Sequence, residues 1–218
     1  MPGLNGLMDA LEKTIQFYED NAESYAENVK GICPKGELDK FSNLLLPSYR
    51  MVLDTGCGSG VASEYLQLKG FQVTGVDLSR NLLTLARKLS PYSFFETGDM
   101  RRMYFQSGYF DGLVNIASLL HLEKKDVPKT IKEFNRVLKP GGIFYLSVKE
   151  GLGEGMENDK RYNGAEKYYS YFGKSEIRDL LEKGGFDIFD LHTIEYKDNY
   201  RIEHPWMNIF SKKSYSHS

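Results

Sequence analysis

The sequence predicts a three-layer α/β fold, a mostly parallel sheet with helices on both faces. Short apolar runs alternate with helical stretches from Met51 onward. These runs are apolar throughout, as strands covered on both faces must be. The chain has 218 residues, 41% of them apolar, enough for a well-buried core without disulfide or metal staples.

The elements follow in order. Phe17, Tyr18, Ala22, Tyr25 and Val29 recur at helical spacing, which puts an aromatic stripe on one helix face. Gly31 and Pro34 break it, and a second helical stretch ends at Leu44-Leu45-Leu46 before Pro47. Val52-Leu53-Asp54 is a short buried strand ending at Gly56. Val61 to Lys69 is helical and closed by Gly70. Phe71 to Val76 is a strand, Leu82 to Leu89 a helix, and Ser93 to Thr97 a strand. Phe110 to Ile116 is another strand, followed by a helix from about Asp126 to Leu138. After the Pro140-Gly141-Gly142 turn, Ile143 to Val148 is a fifth strand. Ser175 to Lys183 is a helix, and Phe186 to Tyr196 and Met207 to Lys212 are the last strands. No helix separates that final pair, so it should be antiparallel.

Composition narrows the function classes. Lys and Arg total 28 against 30 for Asp and Glu, a net charge of −2. A basic nucleic-acid binder is disfavoured, because no excess positive charge would meet a phosphate backbone. The pairs Arg101-Arg102, Lys124-Lys125 and Lys212-Lys213 are dispersed and read as solvated faces. Cys33 and Cys57 are too few for a disulfide framework or a cysteine-type zinc site. His121, His192, His204 and His217 show no ligand spacing, so no metal is expected. Met1 to Leu11 has no apolar run, and no stretch reaches the ~20 residues needed to span a bilayer. The expectation is a soluble, cytoplasmic protein, monomer or homodimer, with no membrane partner.

The chemistry concentrates where the first strand feeds Asp54-Thr55-Gly56-Cys57-Gly58-Ser59-Gly60-Val61. Glycines allow a ligand to touch the backbone, and the following helix offers free N–H groups at its positive end. In an open parallel sheet, ligands bind at the carboxyl ends of the strands. Asp54 can hold this loop or touch the ligand. Asp77 closes the second strand, where a carboxylate accepts the two hydroxyls of a ribose or caps the next helix. Asp99 closes the third, placed to accept the exocyclic amine of an adenine. Two such acids fit an adenosine with free hydroxyls.

These residues resemble the class I S-adenosylmethionine-dependent methyltransferases. Val52 to Gly60 is similar to that family's first motif almost residue for residue. Val73-Thr74-Gly75-Val76-Asp77-Leu78-Ser79 is similar to the second and Gly98-Asp99-Met100 to the third. Phe110-Asp111-Gly112-Leu113-Val114 resembles the fourth-strand motif, and Asn135 to Gly142 the turn before strand five. The resemblance implies a Rossmann-like methyltransferase fold, a doubly wound seven-stranded sheet with one antiparallel strand. It also implies the cofactor S-adenosyl-L-methionine, with product S-adenosyl-L-homocysteine. Carried over by position, Gly56, Cys57, Gly58 and Gly60 lie along the methionine part. Asp77 and Leu78 take the ribose, Asp99 and Met100 flank the adenine, and Asn115-Ile116-Ala117 approaches the sulfonium. Tyr18 and Tyr25 match an N-terminal aromatic cover by type and position, or pack the core.

Methyl transfer from a sulfonium needs alignment and exclusion of water, and a base only if the nucleophile must first lose a proton. His121, Glu150 and Tyr168 are the candidates for catalysis or substrate contact. The segment from Lys149 to Met156 and the aromatics Tyr168 to Phe172 read as a mobile substrate wall or an ordinary surface loop. The division is then one domain, 1–218, with a helical cover over 1–50 and a substrate-side insertion over 150–173. No aromatic Asn-Pro-Pro-Tyr clamp follows strand four, so a small-molecule acceptor is expected, and a nucleic acid is not. Two alternatives stay open. One is a binding module of this fold without turnover. The other is a nicotinamide-dependent oxidoreductase, against which Val61 stands at the third glycine position and Tyr145 and Lys149 share a strand.

Overall fold

The computed structural model describes residues 9–48, 50–195 and 205–215. Tyr196, His204, His217 and the first eight residues, read above, lie outside them.

Asp9 caps α1 (Ala10–Asp20), accepting from the Glu12 amide while the Glu12 carboxylate returns to the Asp9 amide. The aromatic stripe expected on one helix is divided. Asn21 leaves helical geometry at φ −112° and ψ 16°, its side-chain Nδ2 donating to Phe17 O, and α1 ends there before α2 (Ala22–Val29) begins. Pro34 then opens α3 (Lys35–Leu44).

The main sheet has seven strands: β1 (Met51–Thr55), β2 (Gln72–Asp77), β3 (Phe94–Thr97), β4 (Phe110–Ile116), β5 (Leu138–Lys149), β8 (Phe186–Ile194) and β9 (Trp206–Lys213). Their order is β3-β2-β1-β4-β5-β9-β8. Only β9 runs antiparallel to its neighbours, as the missing helix before it implied. From β1 the winding goes one way to β2 and the other way to β4. That reversal opens a crevice at the carboxyl ends of these strands.

Helices α3, α4 (Val61–Leu68) and α5 (Arg80–Leu89) form one covering layer, and α6 (Val127–Val137) and α7 (Lys174–Lys183) the other. Strand β5 shows why its sequence reads as continuously apolar. Phe144, Leu146 and Val148 join Phe134 and Leu181 on one face, while Ile143 and Tyr145 join Leu38 and Phe41 on the other. Each fully buried side chain of this kind contributes roughly 1.5–3 kcal/mol of transfer free energy.

The segment read as a loop folds instead as a hairpin of β6 (Glu154–Asp159) and β7 (Ala165–Ser170). It packs on α1. Thr14 Oγ1 accepts from the Tyr168 amide at 3.0 Å, and the buried Lys167 ammonium lies 4.4 Å from the Phe17 ring centre. Asp159 neutralises that ammonium at 2.9 Å. The strand pattern is hidden because Lys167, Tyr168, Tyr169 and Ser170 are all buried, so nothing alternates between core and solvent.

Candidate functional site

A cavity open to solvent lies in the crevice beneath α1 and α2, with about 700 Å³ of space in it when the open solvent at its mouth is included. The Gly56 backbone forms part of its wall at φ +67°, its N–H donating to Val76 O at 2.7 Å. A Cβ there would stand 1.7 Å from Ser118 Oγ, so only glycine leaves the space open. Gly58 lines the cavity under the Tyr25 ring. Gly60 does not line it. Its missing Cβ, which would meet Ala86 Cβ at 2.9 Å, lets α4 start against α5. Cys57 also leaves the cavity, its thiol buried with Leu83, Ala86 and Phe95. Burial pushes that thiol well above its usual range.

Asp77 lines the cavity at the end of β2. Its Oδ2 accepts from the Gly58 amide at 2.8 Å and its Oδ1 from the Ser79 amide at 2.9 Å. Burial pushes its carboxyl upward against these bonds. The cap of α5 is Ser79 itself, so the helix-cap role considered for Asp77 falls to its neighbour. Leu78 lines the same wall.

Asp99 and Met100 form a further wall. The Arg101 guanidinium grips Asp99, with Nη2 to Oδ2 at 2.7 Å, and reaches Asp126 Oδ2 through Nη1 at 3.1 Å. This overturns the reading of Arg101 as a solvated charge, and Lys124 likewise pairs with Glu176 at 2.8 Å. The signal was present as an acid and a fork two residues apart, but the second acid, Asp126, arrives only through the fold.

Ile116 and Ala117 line the cavity at the end of β4, with Ala117 at φ +54°, uncommon for a residue other than glycine. Asn115 lies behind them and is fully buried. Its Nδ2 donates to Thr55 O, and its Oδ1 accepts from the Leu119 amide at 2.9 Å. It thus joins β1, β4 and the 3-10 turn Leu119–His121. Asp54 is equally removed from the cavity, buried beneath the loop, where Ser63 Oγ donates to it at 2.6 Å.

Burial pushes the Asp54 carboxyl up to about 7. The folded chain therefore holds a proton that the unfolded chain releases in the ordinary carboxylate range. Stability falls as pH rises from that range to about 7 and stays reduced above it. Asp54→Asn should gain stability relative to the parent at pH 8 compared with pH 5. Urea unfolding at both values checks this, and an equal difference at the two would refute it.

Tyr18 and Tyr25 meet edge to face at 5.0 Å and roof the cavity. Tyr18 Oη lies 2.8 Å from His121 Nε2, and His121 Nδ1 lies 2.7 Å from Tyr168 O. Burial, with Lys167 and Lys149 nearby, pushes His121 down to about 3, so the ring is neutral. Of the other catalytic candidates, Tyr168 supplies its backbone, its hydroxyl being taken by Glu154. Glu150 stands outside the cavity, with Oε2 on Thr193 Oγ1 at 3.1 Å and Oε1 near Lys174. Sequence reasoning missed Glu19, whose carboxylate accepts from the Arg80 and Asn81 amides and fastens α1 to the start of α5.

A family model described as a methyltransferase domain matches residues 53–146, the stretch that builds β1 to β5. YqeM of Bacillus subtilis (strain 168), which carries the name of a methyltransferase, is 38% identical over 61% of this chain and 55% of its own length. Residues 53–146 thus match a methyltransferase domain. The alignment spans little more than half of YqeM. A Coxiella burnetii relative, named ubiquinone biosynthesis O-methyltransferase, is 27% identical over 73% of this chain and 70% of its own. Among solved structures, the Burkholderia thailandensis 1,6-didemethyltoxoflavin-N1-methyltransferase superposes with a TM-score of 0.69. It is 21% identical, covers 98% of this chain and 94% of its own, and supports the methyltransferase fold. Among the described residues, no helix is long and apolar enough to cross a membrane.

Proposed function

We propose that this chain binds S-adenosylmethionine in the cavity and transfers its methyl group, by in-line displacement, to a small-molecule acceptor. The observation that carries this reading is the hydrogen-bond state of Asp77. Each carboxylate oxygen is held in place by a backbone N–H, and acceptor capacity remains on the carboxylate for the hydroxyls of a ribose. The bare wall at Gly56 fits the same ligand, because a side chain there would fill the space.

The bound cofactor supplies a methyl on sulfur, a leaving group that needs no activation. The chain's own residues bind and orient. Asp77 and Leu78 hold the ribose, Asp99 and Met100 flank the adenine, and Gly56 and Gly58 lie along the methionine part. Ile116 and Ala117 border the reacting end, with Tyr18 and Tyr25 excluding water above it. The described residues up to position 50 act as a helical cover and 150–173 as a substrate-side wall of a single domain working in the cytoplasm, as monomer or homodimer. The names of the Coxiella and Burkholderia proteins, which refer to ubiquinone and toxoflavin chemistry, support a small organic acceptor.

Isothermal calorimetry tests the reading. S-Adenosylmethionine and S-adenosylhomocysteine should each bind one per chain. Binding of a nicotinamide dinucleotide, with neither sulfur ligand bound, would overturn it. Arg101→Ala frees the Asp99 carboxylate to turn from the adenine, so S-adenosylhomocysteine affinity should fall about threefold to tenfold. Unchanged affinity would show that the guanidinium does not position Asp99.

A further inference from the structure

One wall of the cavity ends on a hydrogen-bonded chain whose direction is set from one end. Tyr168 O is a backbone carbonyl and can only accept, so His121 Nδ1, 2.7 Å away, must donate. The neutral ring then has only a lone pair at Nε2, and the Tyr18 hydroxyl, 2.8 Å away, donates to it. The Tyr18 proton is thereby committed, and its oxygen has only lone pairs left for a bound molecule. An oxygen in that state recognises a hydrogen-bond donor.

The charges around the cavity restrict the acceptor further. Among the described residues no lysine or arginine lines it. Of its two carboxylates, Asp99 is held by the Arg101 fork and Asp77 by backbone N–H groups at the ribose position. An acceptor thus meets neither a free cation nor a free anion, and burying its own charge unpaired would be costly.

We propose that the methyl acceptor is an uncharged amine, an aromatic amine in its simplest form, whose N–H donates to the Tyr18 oxygen while its lone pair points at the methyl group. This rests on the cavity being the S-adenosylmethionine site. The nitrogen lone pair forms the new N–C bond. The C–S bond breaks with its electron pair staying on sulfur, and the N–H proton leaves to water afterwards. Nitrogen keeps its proton through the transfer, so no base is needed. A phenol would have to shed its proton onto Tyr18 as Tyr18 passed its own to His121. That histidine, desolvated beside Lys167, resists the charge.

The test offers the protein methyl-labelled S-adenosylmethionine with two pools of matched size, one of anilines and aminoheterocycles, the other of phenols and catechols. Label on nitrogen is expected. Label on oxygen or carbon, or none in the amine pool, overturns the inference. Tyr18→Phe keeps the ring and removes the oxygen. It should raise KM for the labelled amine about tenfold, change kcat less than threefold, and leave S-adenosylhomocysteine affinity within about twofold of the parent. An equal loss of cofactor affinity, or an unchanged KM, removes Tyr18 from the acceptor. If the parent chain binds no S-adenosylhomocysteine by calorimetry, the cofactor reading fails instead.

Discussion

Asp77→Ala should weaken S-adenosylhomocysteine binding by at least about tenfold while the fold survives. Hydrogen bonds to a charged acceptor contribute roughly 1.5–3 kcal/mol each, and Asp77 keeps acceptor capacity for ribose hydroxyls. The Gly58 and Ser79 amides that lose their partner border an open cavity, where water can replace the carboxylate. Calorimetry gives the affinity and circular dichroism the fold. Unchanged affinity would remove Asp77 from the ribose. The same residue sets a pH dependence. Burial raises its carboxyl above the usual range, and the charged form is the better acceptor. Affinity should therefore decline as pH falls toward the carboxylate range, at a higher pH than an exposed carboxylate would allow, and Asp77→Asn should flatten that decline.

Gly56→Ala should cost the most stability of any single methyl added to the cavity wall. The new Cβ would lie 1.7 Å from Ser118 Oγ and 2.3 Å from Ser118 Cβ, on a backbone at φ +67°. Left-handed backbone costs roughly 1–2 kcal/mol for a residue with a Cβ, and overpacking a further 1–3. Urea unfolding should show a loss of about 2–5 kcal/mol, with ligand binding abolished. Adding Ser118→Gly should return the steric share and not the backbone share. A variant as stable as the parent would contradict the close approach of the two loops.

The parallel core and its order along the chain were legible because the central strands β1, β4 and β5 are buried on both faces and each strand is punctuated by glycine, proline or a polar turn. Asp77 and Asp99 were legible because each closes a strand at a characteristic distance from the glycine loop. The hairpin was not, since burial against α1 and the 3-10 turn Leu119–His121 erased the period of two from Lys167 to Ser170. The break of the aromatic stripe at Asn21 lies in the backbone of one residue, whose side chain bonds Phe17 O, and periodicity does not register it.

The sequence by itself determined the strands of the main sheet, their connections and the acids that close them, because burial pattern and turn chemistry act over a few residues. Only the tertiary structure decided which neighbours in the motifs share a cavity. Gly56 and Gly58 border it, while Cys57 and Gly60, one and two residues away, serve packing between α4, α5 and the sheet. It also decided that Arg101 answers to Asp126, and that Tyr18, His121 and Tyr168, each on a different element, form one chain of hydrogen bonds. Such contacts join residues 25, 103 and 47 positions apart. Their geometry arises only when the cover, the sheet and the hairpin close on one another.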